Sequence, residues 1–167
     1  MADGRVTYAS EAGWNVLRYF GRVDYTMAPA IERFVDHLAH GPCPFLFDLS
    51  GARILDSTNL GLLARMVERA KADGAGRCVV VSPPADIDDV LRSMGFDCLV
   101  DITSQSPLPT AGEAAHPEEV VTDEAASQGE MLRTMLEAHR TLAGIDDHDC
   151  AQWRDVVNLL EAEMRRC

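Results

Sequence analysis

The 167-residue chain is long enough for one ordinary domain, or for one small domain plus an extension, and 47% of its residues are hydrophobic. Its formal net charge of −12 argues against nucleic acid and against an anionic membrane surface as partners, because both select basic proteins. The N-terminus has no apolar signal core, and no apolar run approaches the ~20 residues of a membrane span. We therefore expect a soluble, cytoplasmic protein.

The cysteines and histidines give no metal-binding pattern. The five cysteines are an odd number without a C-x-x-C pair, so we interpret them as reduced thiols. His37 and His40 lie three residues apart on a predicted helix, but no third ligand accompanies them. We expect no metal site and no cofactor. The cysteines are Cys43, Cys78, Cys98, Cys150 and Cys167.

Predicted strands and helices alternate from the start of the chain. Residues 16–23 carry β-branched and aromatic side chains around Gly21 and predict a strand. Residues 26–40 have apolar side chains at helical spacing and predict a helix capped by Thr26. The dense apolar run at 44–49 is typical of a central strand that is buried on both faces.

The same alternation continues to about residue 102. A helix is predicted over 57–73, a buried strand over 77–82, a short helix over 86–94 and an edge strand over 98–102. This order predicts an α/β fold with a mixed sheet and helices mainly on one face. The order of the strands stays open.

The character of the chain changes after the predicted domain of residues 1–102. Residues 103–117 contain three prolines among small and polar residues and indicate a linker. Residues 118–167 form an acidic extension with two amphipathic helical patterns, which we expect to pair and to be capped by Gly144 and by Asp147 or Asp149. The apolar stripes consist of Met131, Leu132, Met135, Leu136, His139 and Leu142, and of Trp153, Val156, Val157, Leu160 and Met164.

Such a small helix pair needs a further surface on which to bury its apolar stripes. Two arrangements remain open: docking on the chain's own domain, which would shield Ser57, or docking between chains as a homodimer. His139 is interpreted as a packing residue in the first stripe. The methionines beside it are typical of core, although an adaptable binding surface is an alternative.

The most informative segment joins the strand at 44–49 to the next helix. Asp56, Ser57 and Thr58 open that helix, and Gly61 lies in its interior. Glycine inside a helix costs ~1 kcal/mol relative to alanine, so we expect the helix to approach the sheet closely at Gly61. A Gly61→Leu change is expected to overfill that contact.

The segment Phe47-Asp-Leu-Ser-Gly-Ala-Arg-Ile-Leu-Asp-Ser-Thr-Asn-Leu-Gly resembles the signature of STAS domains. In that family a strand ending in Asp-Leu precedes an Asp-Ser-(Ser/Thr)-Gly-Leu-Gly turn into a helix. Gly21-Arg-Val-Asp24 is similar to the family's Gly-x-Leu-Asp segment, so the resemblance covers roughly residues 5–105. Asn59 departs from the pattern, because the family usually has glycine there.

The resemblance implies an anti-sigma-factor antagonist in a bacterial partner-switching pathway. Ser57 would be the phosphoacceptor, and the implied partners are an anti-sigma factor or serine kinase of the histidine-kinase-like ATPase type and a PP2C-type phosphatase. Phosphorylation would weaken binding to the anti-sigma factor. The residues implied in partner binding are Asp24, Asp56, Ser57, Thr58 and Asn59.

Three alternatives remain beside this interpretation. Ser57, Thr58 and Asp24 are residue types that commonly cap helices without any further function. A STAS subunit of another assembly, such as a lipid-transport ATPase complex, is the second functional hypothesis. An enzyme is the third, but the sequence contains no G-x-S-x-G, Walker, H-E-x-x-H or G-x-G-x-x-G motif, so we expect no catalytic activity.

Overall fold

The computed structural model describes residues 4–109, 119–121, 126–145 and 151–166, with only the backbone for 119–120 and 151–153. The strands are β1 (Arg5–Glu11), β2 (Trp14–Val23), β3 (Phe45–Leu55), β4 (Val79–Val81), β5 (Asp101–Thr103) and β6 (Glu119–Val120). The helices are α1 (Ala28–Asp36), α2 (Ser57–Ala72), α3 (Ala85–Ser93), α4 (Phe96–Leu99), α5 (Gln128–Ala143) and α6 (Ala151–Met164).

The strands form one mixed sheet in the order β5-β4-β3-β2-β1-β6. Strands β2, β3, β4 and β5 run parallel to one another, whereas β1 pairs antiparallel with β2 and with β6. The predicted α/β class with a mixed sheet is confirmed. Strands β1 and β6, which extend the sheet on the side of β2, were not predicted.

The helices cover one face of this sheet, as predicted. Side chains from α1 to α5 join those of the sheet in a single buried core. The other face carries a smaller apolar cluster of Val16, Leu46, Val79 and Val81, against which Trp14 and Leu108 pack. Because β3 contributes to both clusters, the prediction of a central strand buried on both faces is confirmed.

Helix α1 is shorter than predicted, and its cap differs. Its N-cap residue is Met27, without a side-chain hydrogen bond, and Thr26 instead bonds to Asp24. The helix ends at Asp36, and the Arg69 guanidinium donates to the carbonyl oxygens of Val35 and Leu38 at this end. The Thr26 cap and the predicted end at residue 40 are therefore wrong.

The extension docks on the chain's own domain through α5. Helix α5 contacts α1, α2 and α6, and the Arg140 side chain binds Glu161 of α6 across 2.6 Å. Gly144 caps α5 as predicted. The predicted caps Asp147 and Asp149, most of the predicted linker and the Trp153 side chain lie outside the described residues.

Gly61 faces α5 and not the sheet. A Cβ atom at Gly61 would lie 2.4 Å from the carbonyl oxygen of Ala138 and 2.7 Å from its Cβ. The close approach predicted from the helical glycine therefore exists, but its partner is a helix 77 positions further along the chain. The prediction of helix–sheet contact at Gly61 is wrong.

Candidate functional site

The two acidic loops singled out in the sequence leave the sheet at the same edge. Val23 at the end of β2 pairs with Leu55 at the end of the parallel strand β3. Asp24 and Asp56 follow these two residues directly. Since parallel strands have their carboxyl ends at one edge, the topology places both carboxylates at the entrance to α1 and α2.

Asp56 caps helix α2 and is held in place by Asn59. The Asp56 carboxylate accepts hydrogen bonds from the Asn59 backbone N–H at 3.0 Å and from its side-chain amide at 2.9 Å. The same amide also lies 3.4 Å from the Val23 carbonyl oxygen. Asn59 is buried and connects the cap of α2 to the end of β2, so the residue that departs from the signature has a structural role here.

Asp24 forms a tight turn before α1. One carboxylate oxygen accepts from the Thr26 backbone N–H at 3.1 Å and from its hydroxyl at 2.6 Å, and the other lies 3.2 Å from Arg22 Nε. Partial burial alone would raise the pKa of Asp24, but the hydrogen bonds from Thr26 and Arg22 outweigh it and lower the pKa below its ordinary value.

This lowered pKa makes a pH-dependent contribution to stability that an Asp24→Asn variant tests. A carboxylate with a depressed folded-state pKa stabilises above its unfolded pKa of about 4 and loses that effect as the pH falls through the folded value. We expect Asp24→Asn to lower the melting temperature at pH 7 and to differ less from the parent at pH 3. Asp89→Asn, at an exposed position, is the control and is expected to differ from the parent equally at both pH values. If the difference in melting temperature between Asp24→Asn and the parent is also equal at both pH values, the assignment is contradicted.

Ser57 is the first residue of α2, and its hydroxyl contacts the extension. Its Oγ lies 2.8 Å from Nε2 of His139 on α5. His139 Nδ1 is 2.6 Å from the Met135 carbonyl oxygen. A carbonyl only accepts, so Nδ1 carries a proton, and in the neutral ring Nε2 accepts the hydrogen bond that the Ser57 hydroxyl donates.

One face of α5 supplies the other contacts with the domain. Glu130, Thr134 and Ala138 follow one another at four-residue spacing and therefore share that face. Glu130 forms an ion pair with Arg33 of α1, and the Thr134 hydroxyl donates to Glu32 of α1 at 2.7 Å.

Helices α1 and α2 are themselves linked where they contact α5. Arg65 of α2 also binds Glu32, so the three helices meet at a single carboxylate. Ala138 follows Thr134 by four residues on α5 and lies against Gly61, and the next residue, His139, contacts Ser57.

The predicted site residues differ in exposure. Asp24, Asp56 and Ser57 are half-buried, whereas Thr58 and Asn59 are buried at 2% and 1% exposure. In this conformation Thr58 and Asn59 therefore present almost no surface to a partner, and the face expected at the start of α2 consists of the other three residues.

Sequence reasoning missed the part of the site that α5 contributes. It assigned His139 to an apolar stripe, and His139 is indeed 3% exposed, but its bond to Ser57 was not foreseen. Thr134 and Ala138, both buried, were also missed. The small residues Thr134 and Ala138, four positions apart, and the glycine inside α2 were the available signals, but neither identifies the other as its partner.

The described residues show no metal-binding group of three or more histidine, cysteine or acidic side chains. His37 Nδ1 is 2.6 Å from the Arg33 carbonyl oxygen, and His40 Nδ1 is 2.8 Å from an Asp73 carboxylate oxygen. Cys43, Cys78 and Cys98 are free thiols, whereas Cys150 and Cys167 lie outside the described residues. No helix in the described ranges is long and apolar enough to cross a membrane.

Comparison with protein families decides the classification. The family model described as STAS domain matches residues 8–108, which is more than half of the chain. The chain belongs to the STAS domain family. No curated protein matches it. Membership supports a regulatory role, and the matched range contains Asp24, Asp56 and Ser57 but ends before α5.

Proposed function

We propose that the protein is an anti-sigma-factor antagonist of a bacterial partner-switching pathway. It binds an anti-sigma factor while Ser57 is unmodified, and it is released when a serine kinase of the histidine-kinase-like ATPase type phosphorylates Ser57. A PP2C-type phosphatase restores the binding form. The observation that carries the proposal is the position of Ser57 in a STAS domain, directly after the Asp56 cap at the start of α2.

The local electrostatics support a switch at Ser57. A phosphate would add about 1.5–2 negative charges beside the Asp56 carboxylate in a chain whose formal charge is already −12. The N-terminus of α2 tolerates an anion, so the domain need not unfold. The added charge and the desolvation of the phosphate act instead on any partner that touches this edge of the sheet.

Binding, and not catalysis, is the function that the Ser57–His139 pair supports. Their 2.8 Å separation is also the spacing of a nucleophile and its general base. However, the described cavities include neither residue among their lining side chains. The pair joins two packed helices and His139 is only 3% exposed, so we propose that the pair is a packing contact and that the protein is not an enzyme.

Phosphorylation with radiolabelled ATP and serine kinases of the histidine-kinase-like ATPase type tests the proposal. We expect one phosphate per chain on Ser57, loss of labelling in Ser57→Ala, and normal labelling in Ser50→Ala as the matched control. Mapping of the phosphate to Thr58 or Ser50 would refute the assignment. Stable capture of a lipid-transport ATPase in place of an anti-sigma factor would favour the other STAS assembly.

A further inference from the structure

The contact between α5 and the domain identifies a surface for a partner, and this inference rests on the proposed function. We propose that α1 and α2 form a docking seat for an α-helix of the protein partner, and that α5 is a tethered competitor for that seat. The helix seat consists of Glu32, Arg33, Ser57, Gly61 and Arg65.

Access to Ser57 is the reason that partner and α5 must compete. A partner that distinguishes the free hydroxyl from its phosphate has to contact the region around Ser57 Oγ. That atom is 2.8 Å from His139 Nε2, and His139 is buried at 3% exposure. Ser57 is half-buried, so α5 covers its Oγ on the side of His139, and a partner that contacts that side displaces α5 and faces the surface that α5 had covered.

The shape of the seat selects a helix with a small residue at its centre. The Gly61 Cβ position lies within 3 Å of three atoms of Ala138, two of which belong to the backbone. Such an approach of two helix backbones requires a small side chain on each side. A partner helix that replaces α5 needs alanine or glycine opposite Gly61 to gain the same contact.

The polar groups of the seat define the rest of the partner's pattern. Arg33 pairs with an acidic residue, Glu130, and Glu32 accepts from a hydroxyl, Thr134, one turn further along α5. The predicted partner helix therefore presents an acid, a hydroxyl and a small residue at four-residue spacing. The residue after the small one approaches Ser57, as His139 does in α5.

The groove between α1 and α2 extends past the residues that bind α5. A cavity of about 130 Å³ lies between these helices and is lined by four charged and four apolar side chains, the charged ones being Glu32, Asp36, Arg65 and Arg69. The apolar members are Ile31, Val35, Leu62 and Met66. A partner helix can add contacts in this cavity, which gives it a means to displace a competitor whose tether raises its local concentration.

An opened full-length chain and a free peptide test this proposal. Ala138→Leu overfills the contact with Gly61 and is expected to release α5 while leaving the seat intact. A fluorescent peptide of residues 126–145 is expected to bind the Ala138→Leu chain at least tenfold more tightly than the parent, by anisotropy. A peptide that itself carries Ala138→Leu is expected not to bind.

Two further chains control for folding and for the substitution itself. Glu130→Arg places like charge against Arg33 and leaves the residues of the Ala138–Gly61 contact unaltered, so it is expected to loosen α5 and to bind the peptide as well. Gly129→Leu enlarges a residue of α5 that has open space around it, and it is expected to behave as the parent.

The outcomes separate this proposal from the proposed function. If the parent and the opened chains bind the peptide equally, the proposed seat is wrong. It is also wrong if hydrogen exchange shows that α5 has been released in a variant and the peptide still does not bind that variant. The same holds if Ser57 of the Ala138→Leu chain is phosphorylated at an undiminished rate under saturating peptide. Failure of every kinase to label Ser57 would instead sink the proposed function and leave the peptide result unaffected.

Discussion

Replacing Gly61 by alanine is expected to destabilise the protein and to loosen α5, although alanine is the better helix former. The exchange gains about 1 kcal/mol of helix propensity in α2. The new methyl group would lie 2.4 Å from the Ala138 carbonyl oxygen, which is backbone and cannot rotate away. Overpacking typically costs about 1–3 kcal/mol, and because this clash is with backbone we expect a cost near the upper end, which exceeds the gain.

Urea unfolding and amide hydrogen exchange of α5 measure this effect. Gly129→Ala is the matched control, because it is the same substitution in a helix, with no atom within 4 Å of the new Cβ. The control is expected to keep or raise the unfolding free energy and to leave α5 protected. If both variants stabilise the chain equally, Gly61 does not touch α5 and the described contact is wrong.

Phosphoserine in place of Ser57 is expected to release α5 from the domain. The 2.8 Å between Ser57 Oγ and His139 Nε2 leaves no space for a phosphoryl group between these two atoms. The adjacent contact between Gly61 and Ala138 is already so close that α5 cannot shift slightly towards α2 to make room. We therefore expect α5 to leave the domain.

Co-translational incorporation of phosphoserine at position 57, followed by hydrogen exchange, measures this release. We expect the α5 amides to lose their protection while those of β2 and β3 keep it. Phosphoserine in place of exposed Ser93, at the end of α3, controls for added charge and is expected to change nothing in α5. Protected α5 amides in the Ser57 form would mean that helix and phosphate coexist.

The alternation of elements and the central buried strand were predictable because each depends on local periodicity. The hairpin that joins β1 to β2 was not, since its two-residue turn uses Ala12 and Gly13 at positive φ, and alanine rarely adopts that conformation. Strand β6 has two residues and follows a proline-rich segment, so it carries no strand signal of its own.

The candidate site also has one part that was predictable from the sequence and one part that was not. The order Asp56-Ser57 at the start of a helix is a local pattern, and the structure shows the cap that it predicts. The bond between Ser57 and His139 joins residues 82 positions apart. Spacing within one helix predicts which residues share a face, but not which distant helix that face meets. Gly61 signalled a close neighbour without identifying α5.

A nuclear Overhauser experiment between Gly61 and Ala138 tests most directly that α5 covers Ser57 within one chain. The Gly61 Cβ position is 2.7 Å from Ala138 Cβ, so the α-protons of Gly61 lie well within range of the Ala138 methyl protons. We predict a strong cross-peak in uniformly labelled protein and no corresponding cross-peak in an isotope-filtered mixture of labelled and unlabelled chains. Absence of the first cross-peak, or presence of the second, would contradict intramolecular docking of α5 on the STAS domain.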